Sequence, residues 1–132
     1  MKNIHRLACA GLLSSSLVAA TEQQVVVIGH SITVMSADDV QSIYVGEKQI
    51  SGGTRLVPVD NSSAQDAFLA RYVGMDATKY RAAWTKKAFR DGLTAPTLRS
   101  SDAEVVDFVK RTPGAVGYVR APAPAGVVVV AQ

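Results

Sequence analysis

Residues 55–72 read Arg55-Leu-Val-Pro-Val-Asp60-Asn-Ser-Ser-Ala-Gln65-Asp-Ala-Phe-Leu-Ala-Arg-Tyr72, and the fold turns on how this stretch is parsed. Leu56, Val57 and Val59 form a short apolar run, residues 60–63 are turn and cap types, and Ala64, Ala67, Phe68 and Tyr72 recur at helical spacing. The stretch therefore predicts a strand, a tight polar turn and a helix start, with Ser63 as the N-cap. A junction of that kind turns unpaired backbone N–H groups and the positive end of a helix dipole toward one point, where an α/β protein readily holds an anion. Asn61, Ser62 and Ser63 are accordingly the first candidates for ligand contact. Ordinary capping accounts for Ser63 equally well.

Working outward, residues 24–29, Gln-Val-Val-Val-Ile-Gly, are a continuous β-branched run that predicts a strand covered on both faces. His30 and Ser31 follow at its carboxyl end, where parallel sheets present ligand-binding loops, and are second-rank candidates for the same ligand. Ser36, followed by Asp38 and Asp39, opens a helix whose apolar stripe is Val40, Ile43 and Tyr44. Capping explains the adjacent acids better than a catalytic pair would. Residues 47–54, with Gly52-Gly53, read as a loop. Beyond residue 72, Gly74 breaks the chain and Asp76 caps a helix carrying Tyr80, Ala83, Trp84 and Ala88 at core spacing. The same helix carries Lys79, Arg81, Lys86, Lys87 and Arg90 as a basic face. Residues 97–99 are a short extended piece, and Ser101 with Glu104 forms a capping box before a helix through Val105, Phe108 and Val109. Two strands, at residues 115–119 and 127–130, close the chain, the last one sharing a sheet with the first.

The amino end is a different kind of segment. Lys2, His5 and Arg6 precede an apolar, small-residue run, and Val18-Ala19-Ala20 supplies small residues for cleavage, so residues 1–20 read as a secretory signal peptide. Taking 20 residues from 132 leaves 112, enough for one domain. Lys2 and Arg6 leave with the leader, so 12 basic residues face 11 acidic ones and the formal charge falls from +3 to +1. Nucleic acid is not implied at that charge. Cys9 also lies in the leader, and His30 is the single histidine of the remaining chain. Neither a disulfide, a metal site, a cofactor motif nor a nucleophile constellation can be assembled, which argues against an enzyme.

Several stretches resemble a known family. Residues 40–48, Val-Gln-Ser-Ile-Tyr-Val-Gly-Glu-Lys, are similar to the helix ending in "IFxGK" of the phosphate-binding proteins of ABC importers, which are type 2 periplasmic binding proteins. Residues 112–119, Thr-Pro-Gly-Ala-Val-Gly-Tyr-Val, match their "TPGAIGYV" almost letter for letter, and residues 56–68 fall where that family has a strand and its "RSDGSGT" phosphate loop. Two departures matter. Val59 or Asp60 stands near the position of the loop arginine, so a charge-assisted fork is lost and a carboxylate sits close by. The remaining length also corresponds to a single lobe, whereas the family closes two lobes around its anion.

The resemblance implies an α/β single domain over residues 21–132, with a central mostly parallel or mixed sheet and flanking helices, like one lobe of a type 2 periplasmic binding protein. It implies a periplasmic or secreted protein that takes a small oxyanion such as phosphate, weakly or with help, at the turn around Ser62 and Ser63. A homodimer or an envelope protein partner would supply the missing wall, and no membrane span remains after the leader is removed. The alternative is an interaction module on the same scaffold that binds no small ligand and meets its partner through the rim or the basic helix.

Overall fold

The computed structural model describes residues 24–132, so the signal-peptide reading of residues 1–20 falls outside it. Strand β1 (Val25–Gly29) is buried along its whole length. Its alternation explains why no polar residue interrupts it: Val25 and Val27 join one apolar cluster and Val26 and Ile28 join the other, so the strand is the middle layer between two cores.

Helix α1 (Ala37–Tyr44) starts as its composition dictates. The Ser36 hydroxyl accepts from Asp39 N at 3.1 Å and the Asp39 carboxylate accepts from Ser36 N at 3.2 Å, a closed capping box. Val40, Ile43 and Tyr44 are its buried stripe. The expected loop after it contains a small hairpin, β2 (Ile50–Ser51) and β3 (Thr54–Arg55), turned by Gly52-Gly53. Strand β4 (Val57–Asn61) follows, then a short helix α2 (Gln65–Phe68) that widens into one π turn (Leu69–Val73) and stops at Gly74.

Helix α3 (Ala77–Asp91) is capped by Asp76, whose carboxylate accepts from Lys79 N at 2.8 Å. Its buried stripe is narrower than its spacing predicts: Tyr80 and Trp84 are buried, but Ala83 and Ala88 are exposed. Strand β5 (Thr97–Arg99) leads to α4 (Asp102–Arg111), where the Ser101 hydroxyl accepts from Glu104 N. The Glu104 carboxylate reaches back one residue further than a capping box requires, to the N–H and hydroxyl of Ser100 at 2.9 and 2.8 Å. Strands β6 (Ala115–Arg120) and β7 (Val128–Ala131) complete the chain.

The sheet runs β5-β4-β6-β1-β7. Strands β5, β4 and β6 are mutually parallel, while β1 is antiparallel to both of its neighbours, β6 and β7. The sheet is therefore mixed, with α1, the α2 region and α3 on one face and α4 on the other, each over its own cluster. The first and last strands are neighbours, as their apolarity predicts. Of these two strands, β1 is covered on both faces and β7 is not, since β7 lies at the edge with Val128 55% exposed.

The motif at residues 112–119 has a packing reason. Gly114 has φ 82°, and a Cβ there would run into the Arg55 carbonyl oxygen. A Cβ on Gly117 would lie 2.6 Å from a methyl of Val105 and 3.2 Å from one of Val59, so this glycine lets α4 lie close on the sheet.

Candidate functional site

The turn that follows β4 is built from side chains that spend their hydrogen-bonding groups on one another. Asp60, the penultimate residue of β4, is 2% exposed. The phenols of Tyr80 on α3 and Tyr118 on β6 donate to its two carboxylate oxygens at 2.7 and 2.8 Å. Burial raises its pKa from 3.8 to about 6, against the lowering pull of the two phenols. Alongside, Tyr44 donates to the Val59 carbonyl at 2.8 Å and reaches the Val116 carbonyl at 3.2 Å. Phe68 stacks on Tyr118 with ring centroids 3.8 Å apart. Each phenol thus offers its ring to the core and its oxygen to the backbone or to Asp60.

One residue on, the fully buried Asn61 donates through its amide to the Tyr118 carbonyl at 3.0 Å and to Asp102 at 2.6 Å. Its side-chain oxygen accepts from both Ser63 N and the Ser63 hydroxyl, at 3.1 and 2.6 Å. The Ser63 hydroxyl also lies 3.0 Å from Asp102, so one proton is shared between two acceptors. Ser62 donates its N–H to the Arg99 carbonyl at 2.8 Å and its hydroxyl to the Ser100 carbonyl at 3.3 Å. The Ala64 N–H goes to the Asn61 carbonyl. Ser63 is therefore not the expected cap: the N-cap of α2 is Ala64, which has no side-chain hydrogen bond to give.

Asp102 closes the cluster from the first turn of α4. Burial pushes its carboxyl up, but hydrogen bonds from Asn61 and Ser63, with Arg120 at 3.3 Å behind them, outweigh burial and hold it below the usual range. The corner thus carries a second carboxylate, in its charged form, beside Ser63. Arg99 was not singled out in the sequence, yet its register opposite Asn61 brings its backbone to the same corner. Its guanidinium lies 4.9 Å above the Phe108 ring, and its Nε has no hydrogen-bond partner among the described residues. Only the pairing of β5 with β4 reveals it.

His30 and Ser31 are not part of this corner. Because β1 is antiparallel to β6, its carboxyl end meets the amino ends of β6 and β4, where His30 N donates to the Ala115 carbonyl. Four residues of β4 separate that level from Asn61, about 13 Å of strand. One small ion cannot touch both groups. His30 Nδ1 donates to the Val109 carbonyl at 2.8 Å, which ties β1 to the end of α4, and exposed Ser31 adopts a left-handed φ of 59°. Among the described residues, no group of three or more His, Cys, Asp or Glu is placed to hold a metal, and no helix is long and apolar enough to cross a membrane.

The fold is similar to that of part of two solved phosphate transport proteins, and the likeness is one of fold alone. A phosphate-bound structure described as a putative phosphate ABC transporter substrate-binding protein from Clostridium perfringens superposes with a TM-score of 0.62 at 18% identity, over 82% of this chain and 44% of that one. An ABC-type phosphate transport receptor from Vibrio cholerae matches with a TM-score of 0.53 at 14% identity, over 82% of this chain and 45% of that one. The chain therefore spans less than half the length of either. No family model matches the chain, and no curated protein does.

Proposed function

We propose that this chain is a phosphate-binding-protein-type lobe that acts outside the cytoplasm, in the periplasm or after secretion, as a protein-interaction module and not as a stand-alone receptor for free anion. The observation that carries the reading is the closed set of hydrogen bonds at the β4 turn. Ser62 N–H, Ser63 N–H and Ala64 N–H each have an acceptor within the chain, and the Ser63 hydroxyl lies between Asn61 and Asp102. An incoming oxyanion would have to displace those bonds and approach an ionised Asp102, and both steps work against it. Isothermal calorimetry with inorganic phosphate and sulfate tests this. No saturable heat at millimolar anion is expected, and a saturable isotherm that Ser62→Ala and Ser63→Ala together remove would overturn it.

A second reading has an observation in its favour. Ser62 is exposed with a long hydroxyl contact, and Arg99, whose backbone meets the same turn, has an Nε without a hydrogen-bond partner among the described residues. On this reading Asn61, Ser62 and Ser63 hold a small oxyanion such as phosphate once a second copy of the chain or another envelope protein supplies the opposite wall. His30 and Ser31 would then serve a separate contact at the other end of the sheet. The mark of this reading is phosphate uptake that appears only in the assembled complex.

A further inference from the structure

Helix α3 turns an unusual face outward. Of its 15 residues only Tyr80 and Trp84 are buried, and both point to the core. The helix carries five cations, Lys79, Arg81, Lys86, Lys87 and Arg90, against one acid, Asp91. Arg90 pairs with Asp91 at 3.0 Å, and Lys87 turns onto the Val45 carbonyl. Among the described residues, Lys79, Arg81 and Lys86 have no carboxylate partner in an ion pair. Near the end of the helix, beside Lys86 and Arg90, stands Phe89, 95% exposed, the most exposed large apolar side chain described. Helical spacing puts Lys79, Ala82, Lys86, Phe89 and Arg90 on one stripe.

We propose that this stripe is a docking surface for an acidic protein face, with Phe89 entering an apolar pocket on the partner and Lys79, Lys86 and Arg90 meeting carboxylates around it. The proposal rests on the interaction reading above and names its surface and the chemistry of its partner. Burying one aromatic anchor inside a ring of complementary charge is how compact protein interfaces concentrate their binding energy. An anionic bilayer fits less well. Interfacial helices turn their whole apolar stripe toward the lipid, whereas α3 turns its stripe, Tyr80 and Trp84, into its own core and leaves a single ring outside. A second copy fits poorly too, because two such faces would bring cation against cation.

The test places a benzoylphenylalanine photo-crosslinker at position 89 of the full chain in the producing cell, with the same probe at Leu98 and Val128, the exposed apolar positions of the two sheet edges. The expected result is a covalent adduct at position 89 to one protein, mapped to a surface rich in Asp and Glu around an apolar residue. With that protein purified, the double reversal Lys86→Glu with Arg90→Glu, and separately Phe89→Ser, should each weaken the complex by roughly tenfold or more, and added salt should weaken it further. These side chains are exposed, so the variants should keep the parent's urea midpoint. Adducts at position 89 that are only lipid or a second copy overturn the proposal, as does an affinity indifferent to charge reversal. Protein adducts at Leu98 or Val128 with none at 89 overturn this surface and leave the interaction reading standing. No protein adduct at any of the three positions overturns both.

Discussion

Asp60 is where one residue's chemistry has the widest structural consequence. Burial penalises the charged form of the Asp60 carboxyl more than the hydrogen bonds from Tyr80 and Tyr118 favour it, so its pKa rises to about 6. A folded-state pKa above the ordinary 3.8 means that the fold favours the protonated form. The stability this gives is present below 3.8 and is lost as pH rises through about 6. The loss is about 3 kcal/mol. Asp102, held low by its hydrogen bonds, works in the opposite direction and loses stability as pH falls, so the whole-protein profile mixes the two. The difference between Asp60→Asn and the parent isolates Asp60. In urea titrations at a series of pH values, that difference should shift toward the variant by about 3 kcal/mol across the window; a difference that does not change with pH would mean Asp60 is not buried as described. Asn61 is the second residue-scale test. Asn61→Ala strips acceptors from Ser63 N–H and a donor from Asp102 in a buried setting, so it should cost about 2–4 kcal/mol by urea denaturation. A loss below about 0.5 kcal/mol would match a surface polar group instead.

At the scale of the element, the contact between α4 and the sheet depends on a missing side chain. Gly117→Ala places a methyl 2.6 Å from Val105, and both elements are held by their neighbours, so the variant should lose about 1–3 kcal/mol, read as a lower urea midpoint with an unchanged slope. Phe89→Ser on the outer face of α3 should alter stability by less than about 0.5 kcal/mol, by the same measurement. Much at this scale was legible in the residues. Ser36, Asp76 and Ser101 cap where their side chains said they would, and β1 is covered on both faces as an uninterrupted β-branched run requires. The direction of β1 was not legible, because burial on two faces is the same for parallel and antiparallel neighbours, and that ambiguity separated His30 and Ser31 from the turn they were expected to share. The cluster around Asp60 was hidden for a related reason. Helical and strand periodicity locate the rings of Tyr44, Tyr80 and Tyr118 in the core but carry no information about where their hydroxyls end. Ser63 differs for a third reason: its composition predicts a local cap, whereas its hydroxyl turns back to Asn61 and to Asp102, far along the chain on another helix.

For the whole molecule, the described chain spans less than half the length of the solved structures it resembles. Among the described residues, the turn after β4 presents an exposed Ser62. An oxyanion there gains about 1 kcal/mol from a helix terminus, against the roughly 8 kcal/mol that micromolar capture demands. The hydrogen bonds among Asn61, Ser63 and Asp102 reduce that gain further. Two facts meet here: the N–H groups of Ser62, Ser63 and Ala64 are engaged within the chain, and the basic face of α3 is turned outward. Backbone amide shifts from a 15N-labelled chain titrated with inorganic phosphate measure the first fact residue by residue. The Ser62, Ser63 and Ala64 resonances are expected to stay in place up to millimolar phosphate, and saturable shifts centred on those three amides would contradict a corner whose donors are already engaged.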